Sequence, residues 1–202
     1  MEINNILVIG ITGNGKSALA NLLTNTDEFR DGKKVKYRII DNIGFGDTNK
    51  ISEEEILLKI GEGIYSAKEG INQVLFVFAG RFGPEQVVAF DTFKKFISES
   101  GITKFTTLVR TNFPNFKDEK ACEKDRQDLL KEENKDLRET INSCNGIIYV
   151  DNPPIPEIDE EEMDSDDERE KSEIMEKKQA SREKVLNHLA ENCRQEPYKL
   201  KK

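Results

Sequence analysis

Several features are scarce in this chain of 202 residues, and each scarcity excludes a class of protein. No stretch approaches 18 consecutive apolar residues, so the sequence predicts no transmembrane helix. The amino-terminal segment lacks the basic start and long apolar stretch of a secretory signal. The three cysteines, Cys122, Cys144 and Cys193, are odd in number and widely spaced, which fits neither a disulfide framework nor a zinc site. We therefore expect an intracellular, cytoplasmic protein.

The chain also lacks an excess of basic residues. Its 31 Lys and Arg residues face 39 Asp and Glu residues, and the formal net charge is −8. A protein that binds nucleic acid along its length would be basic, so nucleic acid is not an expected partner. Residues 157–176 hold twelve acids against two bases, whereas residues 177–202 hold eight bases against three acids. This pattern predicts a domain over residues 1–155, an acidic flexible linker over residues 156–171, and a charged, helical tail over residues 172–202.

The tail carries a thin apolar stripe, made of Ile174, Met175, Val185, Leu186 and Leu189. Two interpretations remain open. The tail is a helix docked on the domain or on a second chain, or it is a solvated and partly frayed helix. The sparse stripe favours the solvated helix, and the single histidine, His188, is interpreted as a solvated residue on it rather than a ligand.

Inside the domain, short apolar runs alternate with segments of helical periodicity. The predicted strands are residues 3–9, 35–40, 74–79, 105–109 and 147–150. The predicted helices are residues 16–23, 53–68, 84–98 and 117–141. Such alternation is typical of βαβ units, so the sequence predicts a three-layer α/β fold with a mostly parallel sheet.

The strongest motif is a phosphate-binding loop. Residues 10–17, GITGNGKS, satisfy the pattern G-x-x-x-x-G-K-[ST], with a predicted strand before them and a predicted helix after them. Glycines let backbone N–H groups point at phosphate oxygens, and the helix start adds its positive dipole end. In such a loop Lys16 reaches the β- and γ-phosphates and the Ser17 hydroxyl binds Mg²⁺. The candidate nucleotide contacts here are Gly10, Thr12, Gly13, Asn14, Gly15, Lys16, Ser17 and Ala18.

A second motif, D-x-x-G, spans residues 41–44 at the end of a predicted strand. Asp41 at that position is a candidate magnesium residue, usually through water, and Gly44 would place a backbone N–H at the γ-phosphate. The residues that follow, up to Thr48, include a further glycine and are expected to move when that phosphate leaves. The alternative is an ordinary turn after a strand.

These motifs, together with the segment VLFVFAGRFGPEQ, resemble the AIG-type G domains, the GIMAP family of GTPases, over roughly residues 3–152. The run from Gly80 through Arg81 to Phe82, with Glu85 after it, carries the resemblance to this family in particular. The resemblance implies a Ras-like fold, binding of GTP or GDP with Mg²⁺, and slow hydrolysis. It also implies nucleotide-dependent pairing, as a homodimer or as a heterodimer with a related G domain.

The resemblance further implies a catalytic role for Arg81, which would approach the γ-phosphate bound by a partner subunit, as an arginine finger does. The alternative is a surface arginine that pairs with Glu85 or Asp91. Both interpretations remain open.

Base recognition is poorly marked, because the sequence has no N-K-x-D motif. At the matching place, after the strand at residues 105–109, Thr111 and Asn112 are the candidates to contact the base. The family often places an asparagine in the loop after the last strand, and Asn152 fits that position. The alternative for Asn112 is that it shapes the turn before Pro114, and Asn152 is equally suited to be a turn residue before a proline.

The spacing between the first two motifs is short. Only 24 positions separate Ser17 from Asp41, and a helix and a strand occupy most of them. We therefore expect the fold to lack an edge strand and the first switch region, whose threonine would bind Mg²⁺. The threonines in this interval, Thr24 and Thr26, lie about 10 Å or more along the helix from Ser17. The sequence thus predicts weakened nucleotide binding with slow or absent hydrolysis. The alternative is a pseudo-GTPase that serves as an interaction scaffold.

Overall fold

A computed structural model describes residues 2–24, 27–30, 33–41, 44–45, 52–97, 101–131, 135–157 and 164–199. The strands in these ranges are β1 (Glu2–Gly10), β2 (Asp27–Arg30), β3 (Lys33–Asp41), β4 (Gln73–Ala79), β5 (Thr106–Thr111) and β6 (Ile147–Tyr149). The helices are α1 (Lys16–Leu23), α2 (Glu53–Ser66), α3 (Pro84–Ile97), α4 (Glu119–Leu129), α5 (Lys135–Ser143) and α6 (Ser165–Asn192). A 3₁₀ turn, Ile102–Phe105, precedes β5. No helix among these is both long and apolar enough to cross a membrane.

The strands form one sheet in the order β2-β3-β1-β4-β5-β6. Five of them are parallel, and only β2 runs antiparallel to its neighbour. The central strands are buried, because helices cover both faces of the sheet and the apolar runs of β1 and β4 face both layers. The predicted α/β fold with a mostly parallel sheet is confirmed.

The expected absence of an edge strand is wrong. β2 forms this edge and pairs with β3, with Asp27 opposite Lys36 and Arg30 opposite Lys33. Only two residues join the two strands, so a tight hairpin needs fewer residues than the prediction allowed. Thr26 lies outside the described residues. The hydroxyl of Thr24 donates to the carbonyl of Asn21 at the end of α1, over 2.7 Å.

Each face of the sheet has its own apolar layer. On one face, α2 and α3 pack on the sheet, and the rings of Phe76 in β4 and Phe90 in α3 meet edge to face with centroids 5.4 Å apart. On the other face, α1 and α6 cover β1, β3 and β4, with Leu19 and Leu23 fully buried. The site described below lies where these two layers meet the carboxyl ends of the strands.

The prediction of one long helix over residues 117–141 is wrong. Asp118 caps α4, its carboxylate accepting from the backbone N–H groups of Lys120 and Ala121. α4 ends at Leu129, and α5 starts anew at Lys135. The charged pattern continues across both helices, so composition alone does not mark the boundary between them.

The tail is helical, as predicted, but α6 starts at Ser165, inside the segment predicted as a flexible linker. Asp164 caps the helix together with Asp167, and acids in a first turn are favourable because they face the positive end of the helix dipole. Residues 158–163 lie outside the described part of the chain.

The preferred interpretation of the tail as a solvated helix is wrong, because α6 docks on the sheet. Val185, Leu186 and Leu189 are almost completely buried against α1 and the strands. Met175, nearer the start of the helix, stays exposed. The docked face is thus apolar mainly in the second half of the helix, although the stripe is thin over the helix as a whole.

The segment after α6 pairs with the amino end of β4. The N–H of Tyr198 donates to the carbonyl of Ile71 over 2.7 Å, and the N–H of Ile71 donates back over 2.8 Å. The Tyr198 side chain is buried against Phe105, with ring centroids 5.8 Å apart. This pairing lies at the amino ends of the strands, away from the phosphate loop.

Candidate functional site

The phosphate loop connects β1 to α1 at the carboxyl edge of the sheet. Gly13 and Gly15 adopt left-handed backbone conformations, with φ of +81° and +85°. A side chain at Gly10 would collide with the carbonyl of Val77 in β4. Glycine is therefore required at these positions by geometry. Gly15 precedes the first turn of α1 without any side-chain cap, so no protein side chain competes for the N–H groups of that turn.

Lys16 lies inside this loop. Its side chain is buried, and its ammonium group donates to the carbonyl of Ile11 over 3.0 Å. A Cβ atom added to Gly44 would lie within van der Waals overlap of Lys16 Nζ and 2.5 Å from Thr12 Oγ1. The structure therefore brings Gly44, Thr12 and Lys16 together.

Backbone hydrogen bonds join the second motif to the first. The N–H of Thr12 donates to the carbonyl of Phe45 over 2.8 Å, and the N–H of Phe45 donates to the carbonyl of Gly10 over 3.0 Å. Phe45 is buried in the core, which holds its backbone in place. Asp41 ends β3 and is in register with Val8 of β1, so it lies at the same edge of the sheet. The residues between Asp41 and Gly44, and those following Phe45 up to Thr48, lie outside the described residues.

The side chains of Ser17 and Asp41 provide oxygen atoms suited to Mg²⁺. Both residues are exposed, and the Ser17 hydroxyl makes no hydrogen bond with the described residues. Mg²⁺ prefers oxygen ligands and commonly combines one or two protein groups with phosphate oxygens and water. Within the described part of the chain, no three His, Cys, Asp or Glu side chains come together as a metal-binding group. The donors present thus fit a metal shared with a phosphate rather than one held by protein alone.

Thr111, a predicted base contact, supports the phosphate loop. It ends β5 and is buried, and its hydroxyl lies 2.7 Å from the carbonyl oxygen of Asn14 and 3.1 Å from that of Phe78. Its side chain also lies 3.7 Å from the position of a Cβ on Gly15. The structure places the Thr111 hydroxyl against the loop backbone, a contact that the sequence did not signal.

Asn112 turns the chain sharply after β5. Its φ is +53°, the single positive value for a non-glycine residue among the described residues, and asparagine tolerates this conformation better than most. The next residue, Phe113, donates its N–H to the carbonyl of Val150 at the end of β6. The loops that carry Asn112 and Asn152 are therefore neighbours at the carboxyl edge.

Two asparagine side chains at this edge lack partners. Both the oxygen and the nitrogen of the Asn152 amide are buried without a hydrogen bond, and so is the amide nitrogen of Asn14 in the phosphate loop. A buried polar atom without a partner is costly, and the cost is relieved when water, an ion or a polar ligand supplies the missing hydrogen bond. Their positions fit the nucleotide contacts predicted for Asn14 and Asn152.

Arg81 follows β4 and is exposed at the same edge. The ion pairs expected as an alternative role, with Glu85 or Asp91, do not form; all three residues are described. Arg81 instead lines a cleft of about 510 Å³ beside α4, together with Asp128. The pKa of Asp128 is lowered, mainly by its hydrogen bond with Lys131 and to a smaller extent by the charge of Arg81.

A half-buried ion pair lies beneath the loop after β5. Arg110 makes two hydrogen bonds with Asp125 of α4, over 3.1 and 3.3 Å, and its guanidinium carbon lies 5.7 Å from the ring centre of Phe78 and 5.3 Å from that of Phe113. The pair holds the start of the Asn112 loop against α4. Sequence reasoning missed it, because the two residues lie 15 positions apart and neither belongs to a motif.

The comparisons with known proteins define the class of fold. No family model and no curated protein sequence matches the chain. Among solved structures, Toc33 from Arabidopsis thaliana in complex with GDP and Mg²⁺ matches with a TM-score of 0.54 and 18% identity, over 90% of this chain and 86% of that chain. A mutation variant of SsGBP matches with a TM-score of 0.52 and 16% identity, over 94% of this chain and 56% of that chain. At these identities the likeness shows the fold, which is the α/β fold of P-loop GTPases. The chain spans little more than half the length of the SsGBP chain.

Proposed function

We propose that the chain is a guanine-nucleotide-binding G domain of the AIG type, similar to the GIMAP proteins, that acts as a nucleotide-dependent switch or assembly module. The observation that carries the proposal is the junction of the two motifs. Buried Lys16 lies against Gly44, and two backbone hydrogen bonds of Phe45 tie this segment to the phosphate loop. A change at the γ-phosphate would therefore act directly on the segment that follows Gly44.

The phosphates would lie in the loop and at the start of α1. The contacts proposed there are Gly10, Thr12, Gly13, Asn14, Gly15, Lys16, Ser17 and Ala18, with Gly44 at the γ-phosphate. Ser17 and Asp41 would hold Mg²⁺, which neutralises phosphate charge when bound. Lys16 adds a positive charge that is already buried at the site, so its orientation costs little when the nucleotide arrives.

The base would lie between the loops of Asn112 and Asn152. The Asn152 amide has an unpartnered donor and an unpartnered acceptor, and the guanine edge offers a matching carbonyl and amine. Guanine is proposed over adenine because Toc33, which shares the fold, is in complex with GDP. Thr111 contributes by supporting Asn14 and the phosphate loop from below.

Hydrolysis is proposed to be slow or absent. Thr24 uses its hydroxyl at the end of α1, and the interval between Ser17 and Asp41 is short. If the chain pairs with a second copy or a related G domain, Arg81 is exposed at the edge where it would approach the partner's nucleotide and stabilise transition-state charge.

A pseudo-GTPase scaffold is the second candidate, supported by the same short interval. The complete phosphate loop with Lys16 and Ser17 opposes it. Sustained phosphate release over many turnovers, even when slow, would exclude the scaffold, because a scaffold turns over no nucleotide. Release at the rate of an intact G domain would contradict slow hydrolysis.

The proposal is tested by titration with fluorescent GTP, GDP and ATP analogues in the presence of Mg²⁺. We expect saturable binding of the guanine nucleotides, weakened about 10- to 100-fold by Lys16→Ala because a charged hydrogen-bond donor is lost. Lys120→Ala, an exposed lysine on α4, is the matched control and should bind as the wild type does. A protein that binds none of the three nucleotides would refute the proposed function.

A further inference from the structure

The last helix reaches the loop that carries Asn152. Ser181 of α6 is fully buried, and its hydroxyl accepts a hydrogen bond from the N–H of Asp151 over 3.0 Å. The same hydroxyl donates to the carbonyl of Asp151 over 2.9 Å. Ser181 thus fixes both backbone polar groups of the residue directly before Asn152, whose own amide has no protein partner.

The same helix also reaches the loop that carries Asn112. The ammonium group of Lys184 donates to the carbonyl of Phe116 over 2.6 Å and lies 5.9 Å from the centre of the Phe116 ring. Phe116 is buried and donates its N–H to the carbonyl of Phe113, which closes the turn after Asn112. Lys184 therefore anchors the far end of this loop.

Both contacts depend on the docking of α6. Ser181 is 30 positions from Asp151, and Lys184 is 68 positions from Phe116, so neither contact is local. Ser181, Lys184 and Val185 share one face of the helix, which faces the sheet. The apolar contacts that hold α6 in place thus also position Ser181 and Lys184 against the loops that carry Asn152 and Asn112.

We propose that Ser181 and Lys184 are positioning residues for the base, so that affinity for guanine nucleotides depends on the docked helix α6. This inference rests on the proposed function, which places the base between Asn112 and Asn152. Loops held in their binding conformation lose less entropy when a ligand binds, and affinity rises accordingly. The phosphate loop is held differently, by Thr111 and by Phe45. Loss of the α6 contacts should therefore weaken recognition of the base and spare recognition of phosphate.

The experiment compares GDP with pyrophosphate, a ligand that has no base, in the full chain. Affinities are measured with a fluorescent GDP analogue and by competition with pyrophosphate, for Ser181→Ala and Lys184→Met. We expect each variant to bind GDP about fivefold more weakly, the effect of about one lost hydrogen bond, with pyrophosphate affinity unchanged. Lys184→Arg keeps a donor for the Phe116 carbonyl and should restore most of the affinity. Gln179→Ala is the matched control, because Gln179 is exposed and, among the described residues, hydrogen-bonds to Glu183 alone, on the exposed side of the same helix.

A second readout does not need the nucleotide. Amide hydrogen exchange in residues 112–117 and 150–153 should be faster in Ser181→Ala and Lys184→Met than in the wild type and in Gln179→Ala. Unchanged exchange, unchanged GDP affinity, or an equal loss of affinity for GDP and pyrophosphate would each overturn the positioning role. A wild-type protein that binds neither GDP nor pyrophosphate would refute the proposed function itself, and the positioning role with it.

Discussion

At the scale of single residues, Gly44 has little room for a side chain. A methyl group there would press on Thr12 and on the Lys16 ammonium. We predict that Gly44→Ala keeps the fold and weakens binding of a fluorescent GTP analogue about tenfold or more, since overpacking at a fixed backbone displaces its neighbours.

Gly101→Ala is the control for this change. An added Cβ at Gly101 meets no atom within 4 Å, and its φ is −94°, so alanine fits there. Similar affinities for the two variants would show that Gly44 does not adjoin the bound phosphate.

Asn152 is predicted to raise the affinity for nucleotide without adding to the free energy of unfolding. Asn152→Ala removes two buried polar atoms that have no protein partner, so the free energy of unfolding should stay the same or rise. The affinity for GDP should fall about fivefold and the preference for GDP over ADP should shrink, because the base loses its polar contact. Urea unfolding and competition binding measure the two effects. A destabilised variant with unaltered affinity would instead make Asn152 a structural residue.

At the scale of elements, His188 couples the docking of α6 to pH. Its ring lies 2.7 Å from the Thr107 hydroxyl, and burial lowers its pKa, which the charge of Glu191 raises only in part. His188 is therefore protonated near pH 6.5 in the unfolded chain but only at a lower pH in the folded chain. The contribution of neutral His188 to the free energy of unfolding is fully present above about pH 6.5 and is lost as the pH falls below that value.

We predict that the urea midpoint of the wild type decreases when the pH is lowered from 7.5 to 5.5. The decrease should be smaller in His188→Gln. Glutamine retains a polar side chain near Thr107 without titrating in this range. Parallel falls in the two proteins would assign the pH dependence to other groups.

The sequence predicted those elements whose pattern is local. The strand before the phosphate loop, the loop itself and the start of α1 follow from a few adjacent residues, and the unbroken apolar run of β4 predicts a buried strand. The hairpin of β2, the boundary between α4 and α5, and the docking of α6 depend on contacts between distant segments. The same holds within the site, where Lys16 and Gly44 belong to motifs, whereas Ser181 becomes relevant only after folding.

At the scale of the whole molecule, the end of the described chain packs its Tyr198 ring into the hydrophobic core. Tyr198 pairs with Ile71 through two backbone hydrogen bonds, and its ring is buried. We predict that Tyr198→Ala lowers the free energy of unfolding by about 3 kcal/mol, within the range for the loss of a buried aromatic side chain. Urea unfolding measures this loss. The exposed neighbour Lys199, changed to Ala, should stay within about 0.5 kcal/mol of the wild type.

Equal stabilities of these two variants would mean that the last segment contributes little to the core.

The place of Tyr198 has a practical consequence for tethering the protein. Tyr198 and the start of β1 both lie at the amino edge of the sheet, and the nine residues of β1 put about 30 Å between that edge and the phosphate loop. A dye, bead or sensor surface attached beyond Tyr198 would therefore leave the opposite, phosphate-loop side of the sheet open to solution. The same geometry lets the molecule be anchored through one side while a ligand in solution is supplied to the other.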